Sequence, residues 1–163
     1  MGEKKTDEKL KRALDFLEEE TQSITAGLVL ISMDTHQQPL FLVLERNDDD
    51  CAFPGGRVNT GETLLEAAMR ETREEVHGTG EIDFPWGMES IKTKYYGKQN
   101  LKQGVYFLAR PELIDLTIGF NFTKGRPEHQ HYRWLPYSEA RGMIKNRLQP
   151  ILDWANDKVK GDD

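Results

Sequence analysis

The chain has a single cysteine, Cys51, so an internal disulfide is excluded and a cysteine-built zinc site has no second thiolate to draw on. No apolar run approaches the roughly 18 residues of a membrane span, and the opening MGEKKTDEKLKR has no apolar stretch of the kind that directs export. Nor is there a basic excess: 22 Lys and Arg stand against 28 Asp and Glu, a formal charge of −6. That balance disfavours broad binding to nucleic acid or to an anionic membrane. The expectation is a cytoplasmic chain without membrane or bulk nucleic-acid partners, a monomer or homodimer. A phosphate-bearing ligand would have to be received by metal ions or by a local basic patch.

Length and pattern then favour one folded unit. At 163 residues the chain suffices for a single hydrophobic core. Charged residues make up 31% of it, a share that could signal disorder if the apolar residues were scattered. They gather instead in Ile24–Ser32, Leu40–Leu44 and Gly104–Ala109, which read as buried strands, the first two joined by the turn-like DTHQQ. NDDDCAFPGGRVNTGE reads as a loop. Thr63 to about Val76 reads as a helix, because Thr63 and Glu66 form a capping box and Gly78 supplies a stop. IKTKYYGKQNLKQGVYFLAR reads as two strands around a polar, basic connection. An irregular stretch, PELIDLTIGFNFTKGRPE, leads to the short strand HYRWL. SEARGMIKNRLQPILDWAND reads as one or two helices, with Pro150 starting or kinking the second. Strands, helix, strands and helix in this order predict an α/β fold, a mixed sheet covered by helices. At the N-terminus Leu10, Ala13, Leu14 and Leu17 fall at helical spacing, so residues 1–22 read as an amphipathic, charged arm or as a solvated one.

The chemistry concentrates in GRVNTGETLLEAAMRETREE, from Gly56 to Glu75. At about 100° per residue, Glu71, Glu74 and Glu75 fall within roughly one third of the helix circumference. The neighbouring stripe Leu65, Ala68, Met69, Thr72 and Val76 would press the helix onto the sheet. Carboxylates placed together repel one another unless a cation neutralises them, and hard oxygen ligands favour Mg²⁺, with Mn²⁺ as a substitute. An E-x-x-E-E run taken alone is more often a solvated helix face. Arg70, four residues before Glu74, taken alone is a surface ion pair, and Glu62 is a favourable charge near a helix N-terminus.

Taken together these residues resemble the signature of the Nudix hydrolase family: Gly, five residues, Glu, seven residues, Arg-Glu, an aliphatic position, any residue, Glu-Glu, any residue, Gly. Six matches at fixed spacing arise by chance about once in 10⁶–10⁸ windows. The resemblance implies a Nudix-type α/β/α sandwich with a mixed β-sheet between helices, over residues 23–157, followed by a charged tail at 158–163. It implies Mg²⁺ held by Glu71, Glu74, Glu75 and Glu128, with Arg70 orienting a glutamate, either Glu71 or Glu128 as the base, and Gly55, Gly56 and Glu62 in support. Two positions depart from the signature. Thr72 stands at the aliphatic site, and His77 at the final Gly, with Gly78 one place later.

PEHQHYRWLP is similar to a stretch of the family's asymmetrical diadenosine tetraphosphate hydrolases, and KYYGKQNLKQGVYFLA to the part of those enzymes that offers a tyrosine and basic residues to base and phosphates. The substrate-binding candidates are Arg57, from PGGRV, and, from these two segments, Tyr95, Lys98, Lys102 and Tyr132. Tyrosines stack on bases and lysines neutralise phosphates, although an exposed basic turn between strands would look the same. His129 and His131 read as hydrogen-bonding residues, Trp134 and Leu135 as core. Where those hydrolases have Pro-Lys-Gly, this chain has Pro54, Gly55 and Gly56, and PGGRV is similar to Nudix enzymes acting on nucleoside triphosphates or GDP-sugars. The implied ligand is a small nucleotide. The implied activity is hydrolysis of a dinucleoside polyphosphate, a nucleoside triphosphate or a nucleotide sugar, or nucleotide binding without turnover.

Overall fold

The computed structural model describes residues 24–45, 51–76, 79–96, 101–112, 119–123 and 126–161. The expected N-terminal arm, His77, Gly78 and Lys98 lie outside them. The described strands are β1 (Ile24–Met33), β2 (Pro39–Glu45), β3 (Cys51–Ala52), β4 (Gly55–Arg57), β5 (Ile82–Asp83), β6 (Ser90–Tyr96), β7 (Leu101–Pro111), β8 (Gly119–Thr123) and β9 (Arg126–Pro136). The helices are α1 (Leu64–Glu75), α2 (Tyr137–Met143) and α3 (Gln149–Lys160), with a 3₁₀ turn at Asn146–Leu148.

The strands form one mixed sheet in the order β5, β7, β1, β2, β9, β8, with β3 beside β2, β4 beside β1 and β6 beside β7. β1 and β7 run parallel, Ile24 opposite Gln103 through Leu30 opposite Ala109. The other pairings are antiparallel. β1 is covered on both faces, which is why its sequence is almost continuously apolar rather than alternating. Successive side chains of a strand point to opposite faces. Ala26, Leu28 and Leu30 accordingly join Leu42, Leu44, Val105 and Phe107 beneath α1. Val29 and Ile31 join Phe41, Val43 and Leu108 beneath α2 and α3. The expected α/β/α sandwich is present.

The helix holding the carboxylates forms for the reasons its sequence suggests. Glu66 N–H donates to Thr63 Oγ1 at 3.1 Å and Thr63 N–H donates to Glu66 Oε1 at 3.2 Å. This reciprocal box satisfies two amides at the helix start. The helix ends on Val76, whose backbone is extended and whose N–H reaches Thr72 O. Ala67, Ala68, Thr72 and Val76 are buried, and Leu65 and Met69 pack beside them. At the other end of the chain Pro150 lies in the first turn of α3, where its missing N–H costs no hydrogen bond. Charged residues after Asp157 begin as helix, because α3 runs on through Lys160.

Two stretches expected to be irregular are ordered differently. The Gly-rich loop contains β3 and β4, too short to show a period of two. PELIDLTIGFNFTKGRPE contains β8 and the start of β9, which pair as a hairpin with a register shift at Phe120/Asn121. Glu128 is therefore a strand residue opposite Asn121, not a loop residue. Lys, Gly and Pro within the hairpin masked its alternation.

Thr72 occupies the position where an aliphatic residue was expected, and it is fully buried. Its Oγ1 finds no hydrogen-bond partner among the described residues. A buried, unpaired hydroxyl costs more than it returns. Thr72→Val keeps the shape and removes that hydroxyl, so stability should rise by about 1 kcal/mol. Urea midpoints of the two proteins check this, and a lower midpoint would contradict it.

Candidate active site

Gly61, with φ +88°, turns the chain just before α1. Glu62 N–H closes this turn on Asn59 O at 3.1 Å, and a glycine meets the left-handed backbone at little cost. The turn delivers the Glu62 carboxylate to Arg70. Arg70 Nε donates to Glu62 Oε2 at 2.7 Å and Nη2 to Glu62 Oε1 at 2.9 Å, a bidentate pair. Nη2 also donates to Arg57 O at 3.0 Å, and Nη1 reaches Glu71 Oε1 at 2.9 Å and Glu74 Oε1 at 3.4 Å. All five N–H groups of the guanidinium are thereby directed to acceptors. Hydrogen bonds from Arg70 and from the Asn59 amide hold the Glu62 carboxyl below its usual range. The same pairing with Glu62 raises Arg70 further above its already high value, against the opposing effect of burial.

β4 fixes the remaining acid, Glu75, and backs Glu71 as well. Gly55 N–H donates to Glu75 Oε1 at 2.9 Å. Gly56 lies against the Glu71 carboxylate so closely that a Cβ there would collide with it. The PGG loop is thus the wall against which the acidic face of α1 is set. Strand β4 pairs with β1 through Thr25–Arg57, Ala26–Gly56 and Gly27–Gly55, so its distance from α1 is set by the sheet.

Glu62, Arg70, Glu71, Glu74, Glu75, Gly55 and Gly56 are brought together in this way. Among the described residues, however, no three His, Cys, Asp or Glu side chains converge tightly enough to enclose a metal ion. Arg70 draws Glu71 and Glu74 to itself, and Glu75 is turned to the Gly55 amide. The donor set nonetheless fits Mg²⁺ or Mn²⁺ by chemistry, as three hard carboxylates on one helix face with Arg70 taking a single oxygen from Glu71 and from Glu74. Glu128, the fourth expected donor, is described by its backbone, in a hairpin whose β8 strand touches α1.

The substrate-binding candidates separate. Arg57 is exposed at the end of β4, and Tyr95 in β6 stands opposite Lys102 in β7. Tyr132 is buried beneath α1, so its ring belongs to the core layer. Leu135 is core as expected, and Trp134 packs at the margin of the layer beneath α1. Two residues were not singled out by sequence. Gly61 had a signal, the turn-forming Asn-Thr-Gly before the helix. Arg147 had none, yet its guanidinium carbon lies 4.0 Å from the centre of the Tyr95 ring.

Comparison with known proteins places these features. The family model for the NUDIX domain matches residues 21–155. The asymmetrical bis(5′-nucleosyl)-tetraphosphatase of Mus musculus is 35% identical over 103 residues, 61% of this chain and 66% of the mouse protein. The match thus spans just under two thirds of that relative. An RNA pyrophosphohydrolase of Helicobacter pylori is 34% identical over 121 residues, 66% of this chain and 73% of that protein. Among solved structures, a C. elegans Ap4A hydrolase binary complex has a TM-score of 0.66 at 21% identity, covering 85% of this chain and 98% of that one. This last likeness establishes the shared fold.

Gly56→Ala tests the wall. The added methyl must displace the Glu71 carboxylate or push β4 away, so stability should fall by about 1–3 kcal/mol, the usual range for overpacking. Denaturant midpoints measure it. An unchanged midpoint would mean that the carboxylate moves aside freely.

Proposed function

Because the chain belongs to the Nudix hydrolase family, whose domain model covers residues 21–155, we propose that it is a Mg²⁺-dependent hydrolase of a nucleoside-diphosphate-linked phosphoanhydride. The substrate we put first is a dinucleoside polyphosphate such as diadenosine tetraphosphate, cut to ATP and AMP. The observation that carries this is the acidic face of α1 set against β4 by Arg70, Gly55 and Gly56. The likeness to the mouse tetraphosphatase supports the choice of substrate.

In this reaction a water oxygen forms a bond to one phosphorus and the bridging P–O bond breaks. The leaving phosphate carries off the bridging oxygen, and a carboxylate takes the water proton. Glu71, Glu74 and Glu75 would hold the ion, with Glu128 completing the set. When bound, Mg²⁺ supplies charge neutralisation on the diphosphate and acidifies a water. Arg70 acts by position: it fixes Glu71 and Glu74 relative to Glu62 and to the backbone of Arg57. Gly56 keeps the strand close to the Glu71 carboxylate. The base is Glu71 or Glu128, and whichever serves must lie within hydrogen-bond reach of the attacking water. Tyr95 and Lys102, with Lys98, would receive base and phosphates, and Arg57 would add a further cation. Tyr132 would support the site from within the core.

A substrate ending in a 5′-triphosphate is a second reading. It is favoured by the likeness to the Helicobacter pylori RNA pyrophosphohydrolase and by Gly55 in place of the lysine expected for tetraphosphatases. The reaction would then release pyrophosphate. A nucleotide-sugar substrate shares the same acids and differs in its products.

The test is a panel of diadenosine tetraphosphate, dNTPs, 5′-triphosphorylated RNA, ADP-ribose and GDP-mannose, with products resolved by chromatography. ATP and AMP should appear with Mg²⁺, vanish with EDTA, and fall by about 10²-fold or more with Glu74→Gln. Pyrophosphate from the triphosphate substrates instead would establish the second reading. Glu128→Gln should lower kcat by about 10²-fold or more, a size typical of lost general base catalysis, with an unchanged melting temperature. Near-normal turnover of that variant would remove Glu128 from the mechanism.

A further inference from the structure

Arg147 sits in the 3₁₀ turn between α2 and α3, in a segment no motif marks. Its guanidinium covers one face of the half-buried Tyr95 ring, 4.0 Å from the ring centre. Its Nε is buried and has no hydrogen-bond partner among the described residues. The ring attracts the cation but does not replace a lost hydrogen bond, and a buried unpaired donor on a charged group is costly. Packing alone is therefore a poor account of this arginine.

The sheet register shows what surrounds it. Tyr95 opposes Lys102, Thr93 opposes Gly104, Gly104 opposes Thr25 and Thr25 opposes Arg57. Residues opposite one another in a sheet point to the same face, as do residues two apart along a strand. Tyr95, Lys102 and Arg57 thus share one face, and between them lie the small residues Thr93, Gly104 and Thr25, with the Tyr106 ring set against Gly104. That face is the one α2 and α3 cover farther along, where Tyr106 packs in the same core layer as Leu148. Arg147 reaches Tyr95 from this direction. Two cations, Arg147 and Lys102, therefore stand beside one aromatic ring, with Arg57 three strands away on the same face, and none of these six strand positions carries an acid. In a chain of formal charge −6, like charges so gathered repel one another and favour an anion between them.

We propose that Arg147 is a substrate-binding residue. It fixes Tyr95 to receive a nucleobase, and with Lys102 and Arg57 it receives the phosphates remote from the acidic face of α1. The ligand class is a nucleoside 5′-polyphosphate of three or more phosphates. The proposal rests on the nucleotide hydrolase reading above, but its test is independent of turnover.

The measurement is binding of adenosine 5′-tetraphosphate and of inorganic tripolyphosphate to the full chain in EDTA, by NMR titration at low and high salt. Arg147→Gln should weaken both about tenfold at low salt, and the difference should shrink as salt screens the charges. Arg147→Lys should regain tripolyphosphate binding but not that of adenosine tetraphosphate, because the charge returns without the planar stacking surface. Equal binding by wild type and Arg147→Gln would overturn the proposal, as would failure of the wild type to bind either probe. Should Arg147→Gln fail to fold, unaltered adenosine tetraphosphate binding by Arg147→Lys would also overturn it. Hydrolysis of diadenosine tetraphosphate, assayed separately with Mg²⁺, judges the enzymatic reading whichever way binding falls.

Discussion

The guanidinium of Arg70 is the contact on which the site depends. Five donors in a rigid plane meet two oxygens of Glu62, one each of Glu71 and Glu74, and the carbonyl of Arg57. This joins the turn before the helix, the helix and the strand beside it through one group. A lysine carries the same charge but presents its three donors from one atom, so it cannot span these acceptors. Without that cation, Glu62, Glu71 and Glu74 would face one another with nothing between them, and repulsion would favour splaying the helix from the turn.

The same acids serve two demands that pull apart. Folding requires them to be neutralised, and Arg70 does this within the chain. Binding an ion requires carboxylate oxygens to converge elsewhere, which they do not in this arrangement. The compromise is that Arg70 engages Glu62 with both oxygens but Glu71 and Glu74 with one each. Glu62 is the fixed partner, and the helix acids retain oxygens for other ligands. β4 divides the labour further. Gly56 faces the Glu71 carboxylate, while Arg57, one residue later and on the opposite face, belongs with Tyr95 and Lys102. Within three residues the strand thus gives one backbone position to the acids of α1 and turns the next side chain to the other face.

Much of this is legible in the order of amino acids alone. The capping box marks the start of α1, since Thr63 and Glu66 lie in the reciprocal spacing that satisfies the first amides. The spacing of Glu71, Glu74 and Glu75 puts three acids on one face because helical geometry allows little else. The apolar runs at β1, β2 and β7 announce central strands, since a strand covered on both faces has no polar side. Elements whose order depends on distant partners are not legible in this way. β3 and β4 have too few residues for a period, and exist because β1 and β2 offer edges to pair with. The β8–β9 hairpin is interrupted by a register shift that breaks its alternation. That Tyr132 packs under α1 is likewise not legible from its motif, because its parity along β9 is set by pairing with Leu44.

Residue order is thus enough to give the family, the helix with its acids, the mixed sheet between helices and the glycines that let backbone approach carboxylate. These follow from local rules: periodicity, capping and the absence of a side chain. It takes the assembled fold to decide which face of each strand meets which layer, which acid Arg70 holds with both oxygens, and that Arg147 lies on Tyr95 from 52 residues away. No local rule encodes such contacts. They arise only when strand register fixes one ring and a separate turn, anchored by Leu148 in the core, brings the cation over it.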